Sequence, residues 1–138
     1  MPQTLTIIIP VYNEQDTVVS LINRVKSADI GDVSKEIIVV NDGSTDASAH
    51  QLEKIQEITL IHHPENLGKG FAIRSGINEA SGDCIIIQDA DLEYSPDDYA
   101  QLISPILEKR VKVVFGSRRL KKDNQQHSAI SFYLGGVA

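Results

Sequence analysis

Short apolar segments alternate with longer amphipathic segments along the chain, and this alternation predicts strands and helices in turn. The strands are expected at Leu5–Pro10, Glu36–Val40, Thr59–His62, Cys84–Gln88 and Lys112–Phe115. The helices are expected at Thr17–Ser27, Ala47–Gln56 and Lys69–Ala80, and from Pro96, with Ser95 as N-cap, to Glu108. Apolar strands separated by amphipathic helices favour an α/β fold, a mostly parallel sheet covered by helices on both faces.

Polar residues collect at one end of each predicted strand. Because right-handed crossovers place the loops after parallel strands on one edge, these residues should share a binding crevice, and an acidic one. They are Tyr12, Asn13, Glu14, Asn41, Asp42, Ser44, Asp46, His63, Glu65, Asn66, Asp89, Asp91, Glu93, Ser117, Arg118 and Arg119. The opposite edge holds turn residues, such as Ser81–Asp83, with no comparable grouping.

Two carboxylates two residues apart at the end of a buried strand point to the same side, about 6–7 Å apart along an extended chain. Asp89 and Asp91 stand in this relation, and Glu93 continues it if the chain stays extended. Like charges at this spacing repel unless a cation lies between them, and oxygen ligands favour Mg²⁺ or Mn²⁺. Acidic residues also populate ordinary loops, but their place at the end of an apolar strand favours a metal site.

Three further residues on this edge are candidates for binding a nucleotide. Asp42 can accept a hydrogen bond from a base or a ribose, while Thr45 or Asp46 caps the next helix. Lys69 lies in a glycine-rich entry to a helix, which is interpreted as close packing plus a helix start, with Lys69 as a candidate diphosphate contact; the alternative is that its free N–H groups meet an anion. Arg118 suits phosphate recognition, with a solvated basic turn as the alternative.

Composition narrows the class of protein. The 138 residues fit one domain, and the net charge of −6 argues against nucleic-acid binding. The single Cys84 is interpreted as a small core side chain, compatible with a reducing cytoplasm. His62, His63 and His127 lack metal-ligand spacing and are interpreted as ordinary loop residues. The apolar end of the chain at Ala138 suggests a fragment of something longer.

Five motifs, in register, resemble the inverting family 2 glycosyltransferases, and within them the polyprenyl-phosphate branch typified by dolichol-phosphate mannosyltransferase. The motifs are PVYNE at 10–14, VNDGSTD at 40–46, NLGKG at 66–70, QDADLE at 88–93 and GSR at 116–118. The resemblance implies a GT-A, Rossmann-like nucleotide-sugar-binding core over residues 1–120. Residues 121–138 would be the truncated start of an acceptor or interfacial region, with Ser131–Ala138 beginning an interfacial helix.

The resemblance also implies roles for individual residues. Pro10, Tyr12 and Glu14 would flank the base and ribose, and Asp42 would bond the base. Asp89 and Asp91, with Glu93, would hold the metal on the diphosphate, and Arg118 would bind a phosphate of the donor or of a lipid acceptor. Asn41 departs from the family, in which Asp is common at this position, but Asp42 remains.

The expected function is metal-assisted, inverting transfer of a sugar from a UDP- or GDP-type nucleotide sugar to a polyprenyl (dolichol or undecaprenyl) phosphate, at the cytoplasmic face of a membrane. A sugar nucleotidyltransferase would instead need a Gly-rich basic loop after the first strand, where Tyr12 and Glu14 stand. A phospho-receiver domain would need an acidic pair there and a lysine ending the fifth strand. A nucleotide-binding domain without catalysis is the third alternative.

Overall fold

The computed structural model describes residues 3–90, 96, 99, 113–116 and 129–132. Its strands are β1 (Thr4–Val11), β2 (Ser34–Asp42), β3 (Thr59–His63), β4 (Cys84–Ile87), β5 (Val113–Gly116) and β6 (Ala129–Phe132). Its helices are α1 (Val18–Ser27), α2 (Ser48–Glu53) and α3 (Lys69–Glu79). The predicted helix from Pro96 to Glu108 lies outside the described residues, apart from Pro96 and Tyr99.

The strands form one sheet in the order β3-β2-β1-β4-β5-β6. The first five strands of this order pair in parallel, which confirms the predicted sheet, while β6 pairs antiparallel with β5. Since β1 lies between β2 and β4, the loops that follow these three strands meet at one edge. In the part of the chain that the structure describes, no helix is long and apolar enough to cross a bilayer.

Side chains of β1 alternate between the two faces of the sheet because successive residues of a strand point in opposite directions. Ile7 and Ile9 pack in a core with α1 and α2, whereas Ile8 packs on the other face with Ala72 of α3. Helix α1 contributes residues at helical spacing, namely Val18, Leu21, Ile22 and Val25. Helices therefore cover both faces of the sheet, as predicted.

Helix α2 is shorter than predicted. It ends at Glu53 rather than Gln56, and the following backbone bonds, from Lys54 N to Gln51 O and from Ile55 N to Leu52 O, span three residues rather than four. Glu57 then adopts a positive φ of 64°. The tightened last turn and this left-handed residue end the helix early.

Strand β6 corrects the expectation of an interfacial helix from Ser131. Ser131 pairs with Val114 and Phe132 pairs with Val113, so both residues belong to the sheet. The sequence does carry a strand signal here, because the large apolar Ile130 and Phe132 alternate with smaller residues. Residues 133–138 lie outside the described residues.

A carboxylate network on the opposite edge of the sheet was not expected. Glu36 accepts hydrogen bonds from Thr6 Oγ1 at 2.6 Å, from Ser81 N at 2.8 Å and from Ser81 Oγ at 2.6 Å. Gly82 N donates to Thr6 Oγ1 at 3.0 Å. These hydrogen bonds join β1, β2 and the turn before β4. We therefore interpret the cluster as structural.

We expect Gly76→Ala to destabilise the protein. A Cβ at Gly76 would stand 2.5 Å from the Cγ2 methyl of buried Ile8, so α3 would have to move off the sheet. Overpacking costs roughly 1–3 kcal/mol, which outweighs a gain in helix propensity of up to about 1 kcal/mol. Urea titration should therefore give a lower free energy of unfolding.

Gly70→Ala is the matched control in the same helix. A Cβ at Gly70 meets nothing within 4 Å, so the free energy of unfolding should stay level or rise by up to about 1 kcal/mol. Equal changes in the two variants would contradict the close packing of α3 on Ile8.

Candidate functional site

A cavity of about 510 Å³ opens at the edge of the sheet where β1, β2 and β4 end. Its lining residues are Pro10, Val11, Tyr12, Glu14, Asp42, Asn66, Gly68, Lys69, Ala72, Asp89 and Ala90. The predicted site residues Pro10, Tyr12, Glu14, Asp42, Lys69 and Asp89 are thus brought together. The other predicted site residues, Asp91, Glu93 and Arg118, lie outside the described residues.

Asp42, the last residue of β2, accepts three hydrogen bonds at its side chain within the described part of the chain. Its Oδ1 accepts hydrogen bonds from His63 Nδ1 at 2.8 Å and from Leu67 N at 2.9 Å, and its Oδ2 accepts one from Gly68 N at 2.9 Å. Burial alone would raise the pKa of Asp42, but these hydrogen bonds lower it below its ordinary value. The side chain is therefore ionised at neutral pH and held in one orientation.

His63 makes contacts in the site that its sequence context does not predict. The structure contradicts its interpretation as an ordinary loop residue, because it ends β3 with its side chain 8% exposed. Its Nδ1 bonds Asp42, and its Nε2 lies 2.8 Å from Ser75 Oγ of α3. Asp42 and His63 are direct partners in the parallel register of β2 and β3, so a correct strand register could have revealed the pair.

Two backbone N–H groups in the glycine-rich segment that leads into α3 bind the side chain of Asp42. Leu67 N and Gly68 N both donate to the Asp42 carboxylate, so these two groups are not free to bind an anionic ligand, which was the alternative interpretation of this segment. Gly68 adopts a φ of 103°, a conformation open to glycine, which turns these groups toward Asp42. Lys69 follows directly at the start of α3.

Lys69 Nζ is hydrogen-bonded to Asp89 Oδ1 across the cavity. The two side chains are 58% and 36% exposed, and exposed ion pairs of this kind contribute little to stability. The pair can therefore be exchanged for other partners at small cost. Both groups are available to a ligand that carries phosphate and a cation.

The loops after β1 and β2 are joined by hydrogen bonds centred on Asn13. Its Oδ1 accepts from Thr45 N at 2.7 Å and from Asp46 N at 3.3 Å, and its own N–H donates to Ser44 Oγ at 3.0 Å. Asn13 has a φ of 53°, a left-handed conformation that asparagine tolerates better than most residues. The neighbouring Tyr12 is 45% exposed and lines the cavity.

Asp46 strengthens the same junction. Its carboxylate accepts from Ser48 N at 2.8 Å and from Gln15 N at 3.2 Å, so it bonds the first residue of α2. The N-cap position itself, predicted at Thr45 or Asp46, is Ala47. Burial alone would raise the pKa of Asp46, but hydrogen bonds from Ser48 and Gln15 lower it. Two loops that are distant in sequence thus form one rigid wall of the cavity.

The backbone that carries Asp89 is held by buried side chains. Gln88 is fully buried, donates from Nε2 to Asp89 O at 3.1 Å and accepts at Oε1 from Tyr99 Oη at 2.8 Å. Thr17 Oγ1 donates to Ala90 O at 2.7 Å. Two successive carbonyl groups are therefore fixed from opposite directions at the point where the acidic motif begins.

The metal site predicted at the acidic motif is represented here by Asp89 alone. Among the residues that the structure describes, no group of three or more His, Cys, Asp or Glu side chains could hold a metal ion. Asp89 nevertheless fits such a site, because its oxygens line the cavity and one already has a cationic partner in Lys69. The parts assigned to Asp91 and Glu93 stay predictions.

Comparison with known proteins identifies the family. The sequence profile described as Glycosyl transferase family 2 matches residues 6–131, which is most of the chain. The chain belongs to glycosyl transferase family 2. This assignment favours the transferase hypothesis over a phospho-receiver domain or a sugar nucleotidyltransferase, and it agrees with the resemblance seen in the motifs.

A curated relative shows how much of a family member this chain represents. Undecaprenyl-phosphate 4-deoxy-4-formamido-L-arabinose transferase of Proteus mirabilis (strain HI4320) is 36% identical over 126 residues, which are 87% of this chain and 38% of that protein. The chain therefore spans well under half the length of this family 2 relative.

Solved structures establish the fold as GT-A. A mannosyltransferase from Pyrobaculum calidifontis, in complex with GDP-Man and Mn²⁺, matches 75% of this chain and 32% of its own, with 26% identity and a TM-score of 0.66. Glucosyl-3-phosphoglycerate synthase from Mycobacterium tuberculosis, in complex with UDP, matches 76% of this chain and 40% of its own, with 26% identity and a TM-score of 0.63.

Acid should weaken the network around the cavity. The folded pKa values of Asp42 and Asp46 lie below their unfolded values, so their stabilisation is complete above about pH 4 and is lost as the pH falls through the folded values. The free energy of unfolding, from urea titrations, should therefore drop between about pH 6 and about pH 3. Asp46→Asn should be less stable at the higher pH but lose less on acidification, and an identical loss in both proteins would contradict the assignment.

Proposed function

We propose that this chain is the nucleotide-sugar-binding part of a glycosyltransferase that transfers a sugar to a polyprenyl phosphate. The observation that carries the proposal is the cavity at the carboxyl edge of the sheet, where six residues chosen from the family motifs lie together. In open α/β sheets this edge is the usual ligand site. Because the chain spans 38% of its relative's length, acceptor binding would be completed by residues beyond those present here.

Relatives and structural neighbours support both substrates. The Pyrobaculum enzyme binds GDP-Man with Mn²⁺ and the Mycobacterium synthase binds UDP, so the donor class is a nucleoside diphosphate sugar of the UDP or GDP type. The relative from Proteus is named for an undecaprenyl-phosphate substrate. With a lipid acceptor of this kind, the whole protein would work at the cytoplasmic face of a membrane in this proposal.

In this proposal each cavity residue binds a different part of the nucleotide sugar. Asp42 accepts a hydrogen bond from the base, while Pro10, Tyr12 and Glu14 flank the base and ribose. Lys69 exchanges Asp89 for the diphosphate, which its exposed position permits. Arg118 binds a phosphate of the donor or the acceptor. The rigid wall formed by the loops after β1 and β2 keeps these groups in place before the ligand arrives.

Asp89, together with Asp91 and Glu93, would hold Mg²⁺ or Mn²⁺. When bound, the ion would neutralise negative charge that develops on the departing nucleoside diphosphate. The buried Gln88 and the hydroxyl of Thr17 fix the carbonyls of Asp89 and Ala90, and so orient the start of this acidic motif.

The nucleophile needs little help from the protein. A phosphate monoester has a second pKa of about 6 and is already ionised at neutral pH. The acceptor oxygen can therefore attack the anomeric carbon from the face opposite the leaving group, with inversion and without a general base. In this proposal the chain contributes to the reaction by binding and orienting the nucleotide sugar.

Isothermal titration calorimetry of the chain with UDP and with GDP tests this proposal. We expect at least one nucleotide to bind, and its affinity to rise in the presence of Mn²⁺, because the acidic motif would hold the ion and the ion would neutralise charge on the diphosphate. Asp89→Asn should remove most of this gain and weaken binding in Mn²⁺ at least about tenfold.

Asp32→Asn is the matched control, because it removes the same charge from an exposed turn at the opposite edge of the sheet and should leave binding unchanged. Failure of both nucleotides to bind would overturn the proposed donor site. Binding that ignores Mn²⁺ would overturn the metal role alone.

A further inference from the structure

The hydrogen bonds to Asp42 are unevenly divided between its two oxygens. A carboxylate offers about four acceptor positions, two on each oxygen. Within the described part of the chain, Oδ1 accepts from His63 Nδ1 and from Leu67 N, whereas Oδ2 accepts from Gly68 N. Oδ1 is thus filled, and the position that is left belongs to Oδ2.

His63 holds this arrangement firmly. An ionised carboxylate only accepts hydrogen bonds, so His63 Nδ1 carries a hydrogen and donates it to Asp42, while Nε2 lies 2.8 Å from Ser75 Oγ. The ring is hydrogen-bonded to Asp42 of β2 on one side and to Ser75 of α3 on the other, and the side chain is 8% exposed. A ligand that moves this ring away from Asp42 would have to break both of its partly buried hydrogen bonds.

The two candidate bases make different demands on a carboxylate. Guanine presents N1–H and N2–H side by side, and both are satisfied when each takes its own carboxylate oxygen. Uracil presents a single donor, N3–H, between two carbonyl groups. One free acceptor position matches uracil, whereas guanine would be left with a buried N–H that has no partner, which is costly.

We propose that His63 is a specificity-determining residue, which fills Asp42 Oδ1 and so restricts the cavity to a uridine nucleotide rather than a guanosine nucleotide. This inference rests on the proposed function and narrows its donor to a UDP-sugar. His63 acts through Asp42 and does not itself touch the base.

Calorimetry with UDP and GDP, both in Mn²⁺, measures the preference directly. The wild-type chain should bind UDP at least about tenfold more tightly than GDP. His63→Leu frees the second position on Oδ1, so the ratio of the two affinities should move toward one, mainly through a gain for GDP. Thermal unfolding establishes whether each variant is folded.

Two further variants separate specificity from structure. His63→Asn keeps an N–H donor where Nδ1 stands and should preserve the preference for UDP. Ser75→Ala removes the partner of Nε2 but leaves the donor to Asp42, so it should lower stability while the ratio stays close to that of the wild type. If His63 had only a structural role, all three variants would be less stable than the wild type, but the ratio of the UDP and GDP affinities would not change.

The outcomes distinguish a failure of this inference from a failure of the proposed nucleotide-sugar-binding function. If GDP binds the wild-type chain as tightly as UDP, the inference is overturned while the donor site stands. If the ratio is the same in wild type and His63→Leu, His63 does not set specificity. If neither nucleotide binds, both proposals fail. Should His63→Leu not fold, the inference is still overturned by a wild-type chain that does not prefer UDP or by a His63→Asn chain that loses the preference.

Discussion

The ionised carboxylate of Asp42 is the interaction on which the rest of the site depends. It ends β2, and its three protein donors come from β3 and from the loop that leads into α3. Through His63 it also reaches Ser75 on α3. One buried charge thus joins two strands, a loop and a helix, and sets where α3 begins and where Lys69 stands.

The remaining walls of the cavity are built in the same way, from side chains that bond the backbone of a distant loop. Asn13 holds the loop after β2, and Thr17 holds the carbonyl of Ala90 after β4. Such contacts order the loops before any ligand arrives, so little conformational entropy is lost on binding. The exchangeable pair of Lys69 and Asp89 is the exception, since both of its members are partly exposed.

Much of this arrangement follows from local pattern. The apolar runs located β1 to β4, and the polar residues after them located the cavity, because parallel strands with right-handed crossovers leave little choice of edge. His63 was missed because its role depends on its register opposite Asp42, a partner 21 residues away. The left-handed conformation of Asn13 depends likewise on contacts with the loop after β2, more than 30 residues away.

Gly43 has a consequence for how the protein can change in length. Its φ is +71°, and a Cβ there would stand 2.3 Å from the backbone carbon of Glu65, so the turns after β2 and β3 touch main chain to main chain. Residues inserted in either turn would separate the two backbone segments that are in contact. A Cβ added at Gly31, between α1 and β2, would meet nothing within 4 Å. Insertions, tags or fused domains are therefore best accepted at that exposed turn, on the side of the sheet away from the cavity.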